Sequence, residues 1–468
     1  MSNIFGFIAS VNRKIFFLIF LFCCVIILKF PVINIPYHWD AMVRIWETSG
    51  LVENNFNPLG LSRVTTFHYL FGLIWIIFGK SLLVGHIFNI FIAVIGLYFI
   101  FLLSEYAFNR RVAYISVIFT LFCPLYFAQT GILNFSILLT TLNMAVLYYA
   151  FKDRVKPYLF FGLLLVFTKE TGFLAIVAIL VYQLARGDLS WPERLKKSLI
   201  YSVPLIFLIL FFSVFRLHYQ SHIYYKWFAS SVDVILGKVT VLFKELFMAD
   251  FRWILTLAIL FFLIRAREIR KNKIYYLFVL AGLAHFCMFS LFTFHLFRYQ
   301  LPLLAIFFII SAKALSYICR KSKLVLSVVV CSIVFLSLLN FDKHRVVMAR
   351  AGSGAILEDN MEYLDVVKTH RQAVRFIEEN YPDSTVLTIW PMTMELQFPY
   401  LGYTNKAIKA IDVYNYVNVD LREADIVYYS PQSDNPMLLR RKMDELGAVE
   451  IKRFDKNGKS AVVLRVTR

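Results

Sequence analysis

Apolar stretches of about 20 residues recur along the first three quarters of the chain, separated by short polar segments. This length matches a helix that crosses the roughly 30 Å hydrocarbon core of a bilayer. The pattern therefore predicts an α-helical polytopic membrane protein with about 11 transmembrane helices. The predicted spans cover residues 15–36, 82–106, 112–128, 135–151, 157–168, 171–186, 198–216, 251–264, 274–293, 298–318 and 323–341.

Basic clusters between these spans indicate the orientation of the chain, because Lys and Arg concentrate on the cytoplasmic side of membrane proteins. With these spans, every cluster and the N-terminus lie in the cytoplasm, and the residues after 341 lie outside the cytoplasmic (inner) membrane. The clusters are Arg13-Lys14, Arg110-Arg111, Lys152 to Lys156, Arg186 to Lys197, Arg265 to Lys273 and Arg320 to Lys323.

Two apolar stretches are interpreted with the help of this charge rule. Val64 to Gly79 is too short to cross a membrane, and we predict a helix that lies along its outer surface. Tyr158 to Leu184 carries Lys169-Glu170 near its middle. A single span there would put Arg186 to Lys197 outside, so we predict two short helices that meet at an outer turn, Thr168 to Gly172.

Composition agrees with a membrane protein, because 59% of the residues are hydrophobic and only 17% are charged, which excludes an ordinary soluble globule. The basic clusters account for the net charge of +19 as topology signals and contacts with anionic membrane lipids. We therefore expect no nucleic-acid partner. All six cysteines lie in apolar stretches, which predicts neither a structural disulfide nor a cysteine metal site.

From about residue 342 onward polar and apolar residues mix as they do in soluble proteins. We predict a transmembrane domain, residues 1–341 with an outer loop at 37–81, and a small extracytoplasmic α/β domain, residues 342–468. The sequence has no Gly-rich phosphate loop there. The predicted elements are helices at Glu358 to Asn380 and Pro436 to Leu446, strands at Thr385 to Ile389 and Ile426 to Tyr429, and a hairpin of Val449 to Phe454 and Ala461 to Val466.

The predicted outer face collects polar residues from several separate loops. Ionisable side chains at the hydrocarbon boundary are costly, so such a collection suggests a functional site. The outer loops are residues 37–81, 129–134, 168–171, 217–250 and 295–300.

The first outer loop offers a carboxylate next to the membrane. If a helix starts near Asp40, then Asp40, Arg44 and Glu47 share one face. One interpretation is a solvated face whose Asp–Arg pair orients the loop helix. The other is a carboxylate that acts as a general base or metal ligand.

Two further charged positions carry similar alternatives. Lys169-Glu170 is either a local ion pair at a helix break or a lysine placed for a lipid phosphate. Arg298, beside Tyr299, is either a membrane-interface anchor or a bidentate phosphate ligand. The outer histidines, which are His38, His68 and His295, show no zinc-type spacing.

These features resemble the GT-C superfamily of membrane glycosyltransferases, and most closely the group that contains protein O-mannosyltransferases and aminoarabinose transferases. The resemblance covers roughly residues 10–320. It is carried by Asp40 after the first span, Phe67-His68-Tyr69-Leu70, Cys123-Pro124-Leu125-Tyr126-Phe127, Thr168-Lys169-Glu170-Thr171-Gly172 and Arg298-Tyr299-Gln300-Leu301-Pro302.

The resemblance implies transfer of a sugar from a polyprenyl-phosphate donor to a lipid, glycan or protein acceptor at the outer face of the membrane, usually with inversion. Asp40 matches the catalytic carboxylate, and Lys169 and Arg298 match positions near the donor phosphate. The Lys-Pro-Pro segment of many relatives is absent, and Arg63 is the cation nearby. The supporting residues would be Arg44, Glu47, His68, Asn134, Glu170 and Tyr299.

Metal dependence is left open by the sequence. Many relatives carry a second acidic residue in the second outer loop, where this chain has Asn134. A divalent cation, Mg²⁺ or Mn²⁺, would use Asp40 as its ligand if one is bound.

Two other functions compete with glycosyl transfer. An O-antigen polymerase or ligase usually has a large Arg-rich outer loop late in the chain, whereas Phe294 to Gln300 is short. A lipid-linked-sugar flippase or transporter tends to have internal repeats and broken helices at mid-membrane, and this sequence shows no repeat.

Overall fold

The computed structural model describes residues 2–57, 65–218, 231–265, 273–292, 296–341, 358–414, 423–433 and 435–467. The described chain is a helical bundle followed by a small domain with a β-sheet, so the predicted fold class is confirmed. The bundle helices are α1 Ser2–Lys29, α2 Trp39–Glu53, α3 Thr66–Phe78, α4 Leu82–Ala107, α5 Arg110–Leu121, α6 Pro124–Gln129, α7 Phe135–Phe151, α8 Val155–Val166, α9 Phe173–Leu184, α10 Trp191–His218, α11 Val232–Phe243, α12 Arg252–Arg265, α13 Lys273–Leu291, α14 Leu301–Ile318 and α15 Lys323–Leu338.

Every predicted span overlaps at least one of these helices, and the chain is a multi-pass membrane protein. Within the described residues, five helical segments are long and apolar enough to cross a membrane, and several shorter apolar helices accompany them. The number of crossings and their orientation remain predictions. The five segments are Lys14–Val32, Leu82–Ala107, Val232–Arg265, Ile274–Leu291 and Phe297–Ile318.

The third predicted span, 112–128, was wrong as a single helix. Helix α5 ends at Leu121, and α6 begins at Pro124 after an extended Cys123. Proline disfavours a helical conformation in the residue before it and has no N–H to donate, so a new helix starts at that point.

The predicted outer loop 217–250 was also wrong in its second half, because it contains α11. Ser231 caps the N-terminus of α11, because its side chain accepts a hydrogen bond from the amide of Val234, and the helix packs against α13. The chain then turns at Asp250, which has φ 51° and ψ 39°, and α12 follows. The segment Val232–Arg265 is therefore two helices.

The predicted break near Lys169 is confirmed. Helix α8 ends at Val166, a 3-10 turn covers Glu170–Gly172, and α9 follows directly. The predicted helix within 64–79 is confirmed as α3, and its position along the membrane surface remains a prediction. The amide of Thr66 donates to the carbonyl oxygen of Phe167 at 2.8 Å, which ties the start of α3 to this break.

The described part of the C-terminal domain is built on a five-stranded sheet of order β2-β1-β3-β5-β4. Strand β1 pairs in parallel with β2 and β3, whereas β5 pairs antiparallel with β3 and β4. The predicted strands, the hairpin and the second helix are confirmed, and the first helix is found at Tyr363–Asn380, so it starts later than the predicted Glu358. Strand β2 and helix α17 were not predicted. The elements are α16 Tyr363–Asn380, β1 Val386–Thr388, α17 Met392–Gln397, β2 Ala410–Asp412, β3 Ile426–Tyr429, α18 Pro436–Glu445, β4 Ala448–Lys456 and β5 Lys459–Val466.

The C-terminal domain contacts the chain immediately before α2. The amide of Tyr37 donates to the carbonyl oxygen of Leu401 at 3.2 Å, and the hydroxyl of Tyr403 donates to the carbonyl oxygen of Tyr37 at 3.0 Å. The rings of Trp39 and Trp390 meet edge to face at 6.3 Å. These contacts hold the start of α2 against the sheet domain.

Candidate functional site

Helix α2 places Asp40 in its first turn. His38 at the N-cap has an extended backbone, with φ −84° and ψ 144°, so the helix starts immediately after it. An acidic residue in the first turn is favoured by the positive end of the helix dipole. The local sequence thus presents a carboxylate at the beginning of a helix, beside the domain contact.

Four side chains from three distant parts of the chain, Asp40 among them, form one polar cluster. The guanidinium of Arg298 donates to the carboxylate of Asp40 and forms an ion pair with the carboxylate of Glu358. Nδ1 of His38 lies 2.9 Å from Oε1 of Glu358. The side-chain amide of Gln129 donates to the backbone carbonyl oxygen of Glu358 at 2.8 Å. We call Asp40, Arg298, Glu358 and His38 the carboxylate cluster.

Asp40 is the accessible member of the carboxylate cluster. Its side chain is 38% exposed, whereas those of Arg298, Glu358 and His38 are 6%, 8% and 1% exposed. A small molecule that approaches the cluster therefore meets Asp40 before the other three side chains.

The electrostatics of the cluster keep Asp40 ionised. Burial raises the pKa of Asp40, but the guanidinium of Arg298 outweighs this effect, with help from the charge of Arg44. The pKa of Asp40 is held below its usual range. Burial lowers the pKa of His38 to about 3, so its imidazole is neutral and donates a hydrogen bond to Glu358.

A second network lies further along α2. The guanidinium of Arg44 donates to Glu47 at 2.6 Å and lies over the ring of Phe135 at 4.8 Å. Nε2 of His68 lies 3.2 Å from the same Glu47 carboxylate, and Nδ1 of His68 lies 2.8 Å from the hydroxyl of Thr65. The interpretation of an Asp40–Arg44 pair was therefore wrong, since Arg44 pairs with Glu47 and Asp40 pairs with Arg298.

Lys169 and Arg298 meet across one aromatic ring. The ammonium of Lys169 lies 3.1 Å from the centroid of the Tyr299 ring, and the guanidinium carbon of Arg298 lies 5.7 Å from it. Cations are attracted to the faces of aromatic rings, so Tyr299 holds two positive groups near each other. Lys169 is partly exposed, and Glu170 follows it as the first residue of the 3-10 turn.

Three comparisons with known proteins bear on this geometry. Residues 65–216 match the family model of the dolichyl-phosphate-mannose-protein mannosyltransferases. The fold is similar to that of ArnT from Cupriavidus metallidurans bound to undecaprenyl phosphate, with a TM-score of 0.59 and 10% identity over 96% of this chain and 98% of that one. The chain has the GT-C fold. The resemblance proposed from the sequence is thereby confirmed.

Other GT-C structures are similar over less of their own length. The oligosaccharyltransferase AglB from Archaeoglobus fulgidus, in complex with an inhibitory peptide and a dolichol-phosphate, gives a TM-score of 0.51 and 11% identity over 97% of this chain and 74% of that one. The Archaeoglobus fulgidus oligosaccharyltransferase in complex with zinc and sulfate gives a TM-score of 0.50 and 14% identity, over 88% of this chain and 67% of that one. No curated protein matches the sequence significantly.

Within this GT-C fold, the structure gathers most of the predicted site residues. Asp40, Arg298, Tyr299 and Lys169 lie in or beside the carboxylate cluster, and Arg44, Glu47 and His68 form the second network. Arg63 and His295 lie outside the described residues.

The sequence does not reveal the position of Glu358 in the site. The predicted helix starts at this residue, whereas α16 begins at Tyr363 and Glu358 contacts Arg298 in the cluster. Glu358 and His38 are 320 positions apart, and no spacing or composition signal connects two residues at that separation. The sequence alone offers His38 only as a possible metal ligand.

The side chains around Asp40 do not fit a divalent cation. Arg298 places a positive charge on the carboxylate that would be the ligand. The side-chain oxygen of Asn134 accepts a hydrogen bond from the amide of Phe135 at 2.7 Å, so it caps α7. In the part of the chain that the structure describes, no three His, Cys, Asp or Glu side chains gather as a metal site requires.

Proposed function

We propose that this protein is a membrane glycosyltransferase that moves a sugar from a polyprenyl-phosphate donor to an acceptor at the outer face of the cytoplasmic membrane. The observation that carries the proposal is the accessible Asp40 carboxylate, held ionised by Arg298 within a GT-C fold. The relatives solved with undecaprenyl phosphate and dolichol-phosphate support a lipid-phosphate donor.

Asp40 is the proposed general base. A hydroxyl or amine of the acceptor gives its proton to the Asp40 carboxylate as its oxygen or nitrogen bonds to the anomeric carbon of the sugar. The bond from that carbon to the phosphate oxygen breaks, and polyprenyl phosphate leaves with the bonding electrons. A single displacement of this kind inverts the anomeric configuration. General base catalysis typically contributes about 10²–10⁴-fold to the rate.

Lys169 is the cation that we assign to the leaving phosphate. Charge accumulates on the phosphate as the sugar departs, and a nearby cation stabilises that charge. Both terminal nitrogens of Arg298 are engaged by carboxylates, whereas Lys169 is partly exposed beside the cluster. We therefore assign Arg298 to holding Asp40, and we retain Arg63 as a further candidate for the phosphate.

The test is sugar transfer by membranes that contain equal amounts of wild-type protein or a variant. Radiolabelled polyprenyl-phosphate sugars serve as donors, and labelled products are separated by solubility and size. We expect Asp40→Asn to lose about 10²–10⁴-fold in transfer rate, because the amide cannot accept the proton. Glu53→Gln is the matched control: Glu53 lies on the same helix, but its exposed carboxylate pairs with Lys80 at 2.7 Å.

Transfer by wild type and by Glu53→Gln, with none by Asp40→Asn, would support the proposal. Equal transfer by all three proteins would remove Asp40 from the role of base. If wild-type membranes transfer no sugar from any lipid-linked donor, the transferase proposal fails, and polymerisation or transport of lipid-linked sugars becomes the better hypothesis.

A further inference from the structure

The C-terminal domain contributes a side chain to the carboxylate cluster. Glu358 precedes α16 and contacts the membrane helices at several atoms. One carboxylate oxygen forms an ion pair with Arg298, the other lies 2.9 Å from Nδ1 of His38, and the backbone carbonyl oxygen accepts a hydrogen bond from Gln129 at 2.8 Å. Three residues later, the amide of Met361 donates to the carbonyl oxygen of Phe341 at 2.8 Å. These contacts fix the segment that carries Glu358.

The ion pairs and hydrogen bonds around Glu358 form a closed ring. Asp40 contacts Arg298, Arg298 contacts Glu358, Glu358 contacts His38, and the backbone joins His38 to Asp40 two residues later. The guanidinium is planar and presents its N–H donors at fixed angles. A carboxylate bound to one terminal nitrogen therefore restricts the direction in which the second terminal nitrogen points. With Arg298 only 6% exposed, water has little access to replace either partner.

We propose that Glu358 is a positioning residue, which acts through Arg298 to orient the Asp40 carboxylate and to set its charge environment. The C-terminal domain thereby completes the active site. This inference rests on the proposed transferase function. Glu358 does not meet substrate in this role, since it is nearly buried and reaches Asp40 only through Arg298.

The proposal predicts the direction of a pH effect. The charged or titratable groups that surround Asp40 are Arg298, Arg44, His38 and, through Arg298, Glu358. When the negative charge of Glu358 is removed, Asp40 is the one carboxylate of the cluster that still pairs with the guanidinium of Arg298. The ionised form of Asp40 is then favoured and its pKa falls. The acid limb of the pH profile of kcat, where the rate falls as Asp40 is protonated, should then move to lower pH. The less basic Asp40 carboxylate should also slow the reaction.

The experiment compares kcat, donor KM and the pH profile of Glu358→Gln, Glu358→Asp and Glu362→Gln with those of the purified full-length wild type. We expect Glu358→Gln to lose up to about 100-fold in kcat, with a small change in KM and an acid limb at lower pH. Glu358→Asp keeps the negative charge, so it should retain most of the wild-type kcat and the wild-type position of the acid limb. Glu362→Gln is the control, because Glu362 pairs with Lys459 at 2.6 Å within the C-terminal domain.

Two results would overturn the positioning role. One is a Glu358→Gln protein with the wild-type kcat and acid limb. The other is equal loss of activity in Glu358→Gln and Glu358→Asp with a raised donor KM and an unmoved limb, which would indicate damage to substrate binding. Wild-type protein that transfers no sugar would instead refute the proposed function, and the positioning role with it. Thermal melting in detergent verifies that each variant is folded.

Discussion

The charge balance of the site depends on Arg298. Its guanidinium contacts two carboxylates and the ring of Tyr299, while its side chain is almost excluded from water. Removal of one partner of a buried ion pair leaves an uncompensated charge, which is costly. Arg298 therefore has two effects at once: it stabilises the contact between the domains, and it keeps the base of the proposed reaction ionised.

Replacement of Arg298 by Gln should move the acid limb of transfer to higher pH. The guanidinium holds the pKa of Asp40 below its usual range, so its removal lets that pKa rise towards the value of a partly buried carboxyl. The shift is opposite in direction to the one expected for Glu358→Gln. Single-turnover transfer rates measured across acidic pH would detect it.

The same substitution should change how stability depends on pH. A carboxyl whose folded pKa is depressed contributes stability above its unfolded pKa, and this contribution is lost as pH falls through the folded pKa. The contribution of Asp40 should be absent in Arg298→Gln.

Arg453→Gln is the control, because Arg453 pairs with Glu450 on the exposed strand β4. An acid limb that stays in place in Arg298→Gln would contradict the assignment.

Residue types in predicted outer loops were enough to select Asp40, Lys169 and Arg298 as candidates. Their partners were not predictable in the same way. Asp40 and Arg298 are 258 positions apart, and each had a plausible local explanation as a helix-orienting residue or an interface anchor. Only the packing of the helices and the docked C-terminal domain identifies the Asp40–Arg298–Glu358 contacts.

At the scale of secondary-structure elements, the breaks between helices show which boundaries a sequence pattern can predict. The break between α8 and α9 was predicted because buried charge and the basic cluster after α9 both required it. The break at Cys123 was missed, although Pro124 marks it, because the apolar run continues through it. Strand β2 was missed because Lys409 and Asp412 interrupt the apolar residues around it, whereas β1 lies in the apolar run Thr385 to Ile389.

Gly172 should be essential for the tight turn that carries Lys169. A Cβ at this position would lie 2.7 Å from the carbonyl oxygen of Leu165, and backbone cannot yield as a flexible side chain does. We expect Gly172→Ala to destabilise the protein by about 1–3 kcal/mol through overpacking. Displacement of the turn should also move Lys169 and slow sugar transfer.

Thermal unfolding in detergent and the transfer rate provide the two measurements for this substitution. Gly187→Ala is the matched control, since a Cβ there meets no atom within 4 Å. Equal melting temperatures for Gly172→Ala and Gly187→Ala would show that the turn tolerates the extra carbon.

At the scale of the whole molecule, the C-terminal domain contacts the candidate site at two places, the chain just before Asp40 and the guanidinium of Arg298 that binds Asp40. Tyr37 is held by Leu401 and Tyr403, and Glu358 reaches Arg298 from the other end of the contact. The sequence predicted a small α/β domain on the outer side but gave no reason for it to touch Asp40. Opening of this contact would disturb the start of α2 and the carboxylate cluster together.

Tyr403→Phe should loosen this contact without altering the packing of the ring. The buried hydroxyl donates to the carbonyl oxygen of Tyr37 at 3.0 Å, and its loss leaves that oxygen unsatisfied at a cost of about 1–3 kcal/mol. The amide of Tyr37, which donates to Leu401, should then exchange hydrogen faster, together with the amides that follow Glu358. Hydrogen exchange read by mass spectrometry measures both segments in one experiment.

Tyr381→Phe is the control for this substitution, because its ring contacts Phe376 within the C-terminal domain, away from Tyr37. If the domain completes the active site, Tyr403→Phe should lower kcat and speed exchange in both segments, while Tyr381→Phe changes neither. Faster exchange with an unchanged kcat would show that the docked domain stabilises the fold and leaves Asp40 correctly oriented without it. The two measurements together therefore separate a structural attachment from a contribution to catalysis.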